Sequence, residues 1–309
     1  MNLLCGDVGG TSARLAGWRG EAARCGLVDE RHYPSNEHAD LATILRRWLA
    51  DTGMRPSAAC LALAGPVVAN RCVATNLPWV VDGDALGQAL GFPIRLVNDF
   101  YAAARGVTLL RPGDRVQIGG GEVVTGAPVA VLGAGTGLGE AYVVGGQVVP
   151  GEGGHCELGA SSERESRLVA WLIGREGRAS WEHVLSGPGL VRLARFLAEE
   201  RGGPAPPWID APDAPARVAA TDAEAVRWFC ELYGAEAGNM ALRVLACGGV
   251  YVAGGIAPRM LPALQAGGFR RRFEAKGKLG SAIAGIPAFI VTHPALGLLG
   301  AAAELGVTT

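Results

Sequence analysis

The chain has 309 residues, 28 Lys+Arg against 29 Asp+Glu, 49% hydrophobic and 18% charged residues, and 47 glycines. Its length favours two domains, and about three quarters of the unfolded surface can be buried without a disulfide or metal staple. The near-zero net charge excludes nucleic-acid or anionic-membrane binding driven by bulk charge, and the apolar share excludes a largely disordered chain.

In chain order, residues 2–9 and 12–18 read as two strands around a Gly-Gly-Thr turn, with a third strand over 23–33. Residues 40–52 form a helix with Leu41, Ile44, Leu45, Trp48 and Leu49 on one face. The apolar run 58–64 reads as a central parallel strand. A short helix over 82–90, a buried strand over 94–97 and a helix from Phe100 complete a layered α/β half. Residues 107–127 are Gly-rich and read as a crossover. The order then repeats, with strands at 128–132, 140–144 and 148–149 and helices at 163–175 and 187–201. The Pro-rich stretch 202–215 reads as a surface loop, 221–246 as a long helix, and 250–253 as a strand running into Gly254-Gly255 and a Pro-started helix. Residues 279–303 carry no charged side chain. Pro287, His293 and Pro294 divide this stretch, so it reads as a buried strand and a helix opened by Pro294 rather than a membrane span. The glycine turns at Thr11 and Thr136 each lie between two early strands of their half, the mark of a domain-scale duplication.

The seven cysteines, Cys5, Cys25, Cys60, Cys72, Cys156, Cys230 and Cys247, form no CxxC pair and sit mostly in apolar contexts. They read as buried free thiols of a reducing cytosol. The N-terminus has no basic region, and Asp7 comes too early for a signal peptide. Of the basic side chains only Lys276 and Lys278 are lysines, and Leu279 follows Lys278, so a Walker-type phosphate loop is excluded.

Six segments carry chemistry. In GDVGGTSAR (6–14) a strand delivers Asp7, and Gly9, Gly10 and Thr11 offer backbone and hydroxyl donors to an anion; Asp7 could hold a hydrated Mg²⁺. The bland alternative is a hairpin with an acidic residue. GAGTGLG (133–139) repeats the arrangement, and the strand-like residues after it rule out a dinucleotide-binding strand-turn-helix. NDF (98–100) ends a buried strand, where Asp99 is either a helix N-cap or a general base accepting a hydroxyl proton. In PGEGGHCELG (150–159), a loop too glycine-rich to be helical, Glu152 and His155 suit sugar hydroxyls. Zinc is disfavoured there, because no nearby Cys or His completes a set with His155, Cys156 and Glu157. Glu182, just before Ser186-Gly187-Pro188, falls where one helix ends and the next begins. Gly254-Gly255 leaves bare backbone for a flat purine.

The segments GDVGGTSAR, TNLPW, VNDF, GAGTGLG, PGEGGH, VLSGPG and VYVAGGIAPR run in order over essentially the whole chain. Together they resemble the bacterial glucokinase family of the sugar-kinase, chaperone and actin superfamily. The resemblance implies an α/β, duplicated actin-like and ribonuclease H-like ATPase fold with two domains and a central cleft: 1–109 plus 293–309, and 110–292. It implies ATP and Mg²⁺ as cofactors, phosphoryl transfer to the glucose 6-hydroxyl as the first step of glycolysis, and a cytoplasmic homodimer without nucleic-acid or membrane partners. Position by position, Asn98, Asp99, Glu152, His155 and Glu182 match the glucose contacts, Asp99 the catalytic base, and Asn76 a sugar loop of the smaller domain. Asp7, Gly9, Gly10 and Thr11, with Gly133, Gly135, Thr136 and Gly137, match the phosphate loops, Asp7 reaching Mg²⁺ through water. Gly254 and Gly255 match the adenosine motif. Ser12 departs from the family's usual Asn. Alternatives are a kinase for fructose, mannose or an N-acetyl amino sugar, a chaperone-type ATPase, and a sugar-sensing binding protein. The last would need an N-terminal helix-turn-helix, for which a phosphate motif starting at Gly6 leaves no room.

Overall fold

The computed structural model describes residues 1–21, 24–75 and 77–307; Asn76 and the Cys25 side chain lie outside the described residues. The elements follow as β1 (Asn2–Val8), β2 (Ser12–Glu21), β3 (Arg24–Pro34), α1 (Leu41–Thr52), β4 (Ala58–Leu63), β5 (Val67–Val68), β6 (Arg71–Val73) and β7 (Val80–Asp82). Next come α2 (Gly83–Leu90), β8 (Ile94–Asn98), α3 (Asp99–Gly106), β9 (Arg115–Gln117), β10 (Val129–Ala134), β11 (Leu138–Val144) and β12 (Gln147–Gly151). The chain continues through α4 (Glu163–Glu176), α5 (Gly187–Glu200), α6 (Ala214–Thr221), α7 (Ala223–Val244), β13 (Val250–Ala253), α8 (Leu261–Gln265), α9 (Gly268–Glu274), α10 (Gly280–Ala284), β14 (Ala288–Val291) and α11 (Leu296–Glu304).

Local chemistry sets the helix ends. Asp40, Asp82, Ser162 and Ser186 each accept a backbone N–H at the start of α1, α2, α4 and α5. Left-handed Gly53, Gly91 and Gly177 end the first three of these.

The chain divides into two compact units, Met1–Arg111 with His293–Thr309, and Pro112–Thr292. The first unit holds the sheet β3-β2-β1-β4-β8, in which β3, β2 and β1 are antiparallel and β4 and β8 run parallel to β1. Strand alternation deals side chains to two cores. Leu4, Val8, Ala59, Leu61 and Leu63 face α1, whereas Leu3, Cys5, Cys60 and Ala62 pack with residues of α3 and α11. The second unit holds the sheet β12-β11-β10-β13-β14-β9. Its first five strands repeat the same order and directions, with three antiparallel strands and then two parallel ones. The duplication expected from the glycine turns is therefore present strand for strand. The buried α7 packs against β10, with Phe229, Tyr233, Ala237 and Met240 in the core.

Several elements differ from expectation. A three-stranded sheet, β5-β6-β7, has no counterpart in the reading, because its strands of two or three residues are too short to show a period. The stretch 107–127 contains β9, which pairs antiparallel with β14. The Pro-rich loop ends early, since Pro215 occupies the first turn of α6. After Gly254-Gly255 comes a 3-10 turn over Ala257–Met260 and then three short helices rather than one. Cys5, Cys60, Cys72 and Cys230 are buried as expected, but Cys156 is exposed and Cys247 half-buried.

Candidate active site

The first unit builds one half of the candidate set. Asp7 stands next to last in β1, directly across from Arg14 on β2. Burial pushes its carboxyl above the usual range, and the Arg14 charge opposes that shift. Arg14 is itself fastened by Glu30, 2.6 Å from Nε, and by the Pro294 carbonyl, 2.6 Å from Nη1. Asp7 lies against the first turn of α11, where a Cβ on Gly297 would press on its Oδ2. The β1–β2 turn is closed by Gly9 N–H donating to Ser12 O at 3.0 Å. Buried Ser35 pins it from both sides: its N–H donates to Thr11 O at 3.0 Å and its hydroxyl to Gly9 O at 2.8 Å. Thr11 is left exposed at the tip.

At the end of β8, Asn98 rather than Asp99 is the N-cap of α3. Its Oδ1 accepts from Phe100 N at 2.9 Å and Tyr101 N at 3.1 Å, and its Nδ2 donates to Gly65 O at 3.1 Å. Asp99 is the first helical residue, with Oδ1 2.9 Å from Phe100 N. The carboxylate thus sits in the first turn of α3. Its charge reaches the buried Cys72 thiol, adding to the upward push of burial there.

The second unit builds the other half around the first residues of β11. The GAGTGLG turn is closed by Gly135 N–H donating to Gly137 O at 2.8 Å, and Thr136 is exposed at its tip, as Thr11 is in the first unit. Gly187, at the start of α5, donates its N–H to Gly135 O at 2.8 Å, so a helix N-terminus meets the turn. Glu182 belongs to neither adjoining helix; it lies in the turn between the end of α4 at Glu176 and the start of α5. Its Oε2 accepts from Leu138 N at 2.9 Å, and its own N–H donates to Gly154 O at 2.8 Å. A Cβ on Gly137 would overlap that carboxylate, so this glycine makes room for Glu182.

The loop at 150–159 is not wholly irregular. Pro150 and Gly151 end β12, and Gly153–His155 form a 3-10 turn after Glu152. The turn lies on β11, its Gly154 packed against the Leu138 carbonyl and its Gly153 against the Glu140 carboxyl. Glu152 and His155 are exposed, and His155 Nδ1 is 4.0 Å from Glu182 Oε1. Two polar side chains from distant segments, His155 and Glu182, therefore meet beside the start of one strand, with Glu152 at the head of the same 3-10 turn as His155.

Gly254 follows β13 in the left-handed region, φ 81°, against the Ala134 carbonyl at the end of β10. The strands diverge there: Ala134 N–H donates not to β13 but to the buried Tyr233 hydroxyl at 2.8 Å. Ser35, Tyr233, Gly187 and the Leu138 N–H are contributors that motif reading passed over. Only the first glycine of SGPG hinted at one of them. Among the described residues no three His, Cys, Asp or Glu side chains form a metal-ligating group, and no helix is long and apolar enough to cross a membrane.

Two halves with one strand order, each carrying a glycine hairpin tipped by threonine, define a duplicated actin-like fold of the sugar-kinase kind. The Glucokinase family model matches residues 4–306. A glucokinase of Tolumonas auensis is 38% identical over 319 residues, covering 98% of this chain and 96% of its own. The crystal structure of a glucokinase from an Antarctic psychrotroph superposes with a TM-score of 0.87 at 32% identity, covering 98% of both chains. A ROK family glucokinase from Streptomyces griseus, solved with glucose and AMPPNP, shares the fold at 20% identity, TM-score 0.68, over 98% of this chain and 99% of its own. The chain belongs to the glucokinase family.

Proposed function

We propose that this chain transfers the γ-phosphoryl group of ATP to the 6-hydroxyl of glucose, with Asp99 as the general base. The observation that carries the reading is the meeting of His155 and Glu182 beside the GAGTGLG turn, in a chain of this family. The hydroxyl oxygen attacks the γ-phosphorus, its proton passes to the Asp99 carboxylate, and ADP leaves with the bond electrons. Such transfer depends mainly on positioning and charge compensation. Asn98 serves by orienting Asp99 through the α3 cap and has one amide hydrogen left for the sugar. Glu152, His155 and Glu182 take the hydroxyls away from the reacting end, and Asn76 is an additional sugar contact carried by the resemblance. Gly9, Gly10 and Thr11, and Gly133, Gly135 and Thr136, line the phosphates with backbone and hydroxyl donors. Gly254-Gly255 takes the adenosine.

Asp7 fits a Mg²⁺ ion held through water: among the described residues it is a largely buried carboxylate whose charge only Arg14 offsets, so an added cation would relieve its desolvation. Bound there, Mg²⁺ would neutralise phosphate charge. The free thiols favour a reducing cytoplasm, where glucose 6-phosphate enters glycolysis, and the resemblance favours a homodimer, which sedimentation would read.

The test is a panel of ATP-dependent phosphorylation on glucose, mannose, fructose and N-acetylglucosamine, run with and without Mg²⁺. Glucose should have the highest kcat/KM, and chelation of Mg²⁺ should abolish turnover. A preference of about tenfold for another hexose, ~1.4 kcal/mol in transition-state binding, would overturn the substrate assignment.

A further inference from the structure

We propose that Glu140 is a positioning residue for the sugar: its buried carboxyl group is the seat on which the Gly153–His155 turn is held against β11. The inference rests on reading that turn as sugar-binding. Glu140 is 1% exposed and points from β11 under Gly153, where a Cβ would overlap its Oε2. Gly151, at the start of the same connection, is its cross-strand neighbour on β12. Glu152 and His155 flank the two glycines that rest on this strand, so a shift of the seat moves both ligands at once.

The charge arrangement shows how the seat is kept. Two buried carboxylates, Glu140 and Glu236, share one guanidinium, Arg243. Glu236 takes it at 2.6 Å and also accepts from Asn239 at 2.8 Å, whereas Glu140 has Arg243 only at 3.5 Å. Glu140 Oε1 is buried with no hydrogen-bond partner among the described residues. The other groups facing the cluster are Tyr142 on β11 and Tyr233 on α7, with Lys276 beyond Glu236, its Nζ donating to Asn239 and the Ala235 carbonyl. Burial and the Glu236 charge push Glu140 up to about 8, so it is a neutral acid at neutral pH. Its ionisation places under Gly153 a charge that Arg243, already taken by Glu236, offsets only weakly, and an ion that draws water loosens the turn packed on it.

The experiment follows KM for glucose and for ATP between about pH 6.5 and 9.5 in the native enzyme, Glu140→Gln, Gly153→Ala and His155→Ala. In the native enzyme the glucose KM should rise about fivefold or more above pH 8 while the ATP KM moves less than about twofold. Glu140→Gln, neutral at every pH, should match the native glucose KM at about pH 7 and stay flat to about pH 9.5. Gly153→Ala should raise the glucose KM throughout. Superimposable native and Glu140→Gln profiles would overturn the proposal; if Glu140→Gln does not fold, an unchanged glucose KM in Gly153→Ala does so. His155→Ala separates the two levels. A raised glucose KM there with unresponsive Glu140 and Gly153 variants refutes the seat alone, whereas a normal one refutes the sugar-binding turn and the seat together.

Discussion

Gly137→Ala isolates the link between the phosphate turn and the sugar ligands. Gly137 lies outside the left-handed region, so its backbone tolerates alanine, and the cost falls on what the new methyl meets. That is the Glu182 carboxylate, with Cδ only 3.2 Å from the Cβ position. Restoring a contact distance of ~3.5 Å moves Oε2 by about 1 Å. Its bond to Leu138 N, now 2.9 Å, is then lost. A hydrogen bond to a charged group contributes about 1.5–3 kcal/mol, and the Leu138 N–H is left in a residue only 4% exposed. If glucose draws on a Glu182 held in this way, kcat/KM for glucose should fall by roughly 10–150-fold, at about 1.4 kcal/mol per factor of ten. The assay is steady-state kinetics with each substrate varied at saturation of the other. The glucose KM should carry the loss and the ATP KM should stay within about twofold. A loss confined to ATP would refute the reasoning, and would make Gly137 a phosphate ligand instead of the space for Glu182.

Asp99→Asn should lower kcat by about 10²–10⁴, the usual span for loss of a general base, while glucose binding measured by calorimetry persists; near-normal turnover would remove Asp99 from that role. Tyr233→Phe leaves the buried Ala134 N–H without its acceptor, so unfolding free energy should drop by about 1–3 kcal/mol, read as a lower denaturant midpoint at constant m, and a change under ~0.5 kcal/mol would contradict it. Stability should also depend on pH through the Glu140 cluster. Glu140 goes from 4.5 to about 8 on folding, so the folded state keeps a proton that the unfolded chain releases, and stability falls as pH rises through that window. Lys276, pushed from 10.5 down to about 8, acts in the opposite sense above pH 8, but there the buried Cys60 and Cys230 thiols, pushed from 9.0 up to about 12, work against it. The denaturant midpoint should therefore fall between about pH 5 and 8, and Glu140→Gln should make that fall shallower; a fall unchanged in Glu140→Gln would count against the assignment.

Much of this protein was legible because local chemistry and periodicity act over a few residues. Asp40 and Asp82 announce α1 and α2 as caps, the apolar run at 58–64 announces a strand buried on both faces, and the two glycine turns announce the duplication that the matched sheet orders display. Short elements such as β5, β6, β7 and β9 carry too few residues for a period, and they form only because neighbouring strands supply their hydrogen bonds. Motif residues were legible as a set, but their division of labour was not. Asn98 rather than Asp99 caps α3 because its backbone is still extended, which aims Oδ1 at two N–H groups of the first turn at once. Glu182 reads as an ordinary surface carboxylate until Leu138 and Gly137, more than forty positions earlier, close around it. Ser35, Tyr233 and Glu140 have no motif at all. Their roles depend on which backbone groups a strand end leaves unpaired and which charges share a buried space, and those are properties of chain segments that meet only in three dimensions.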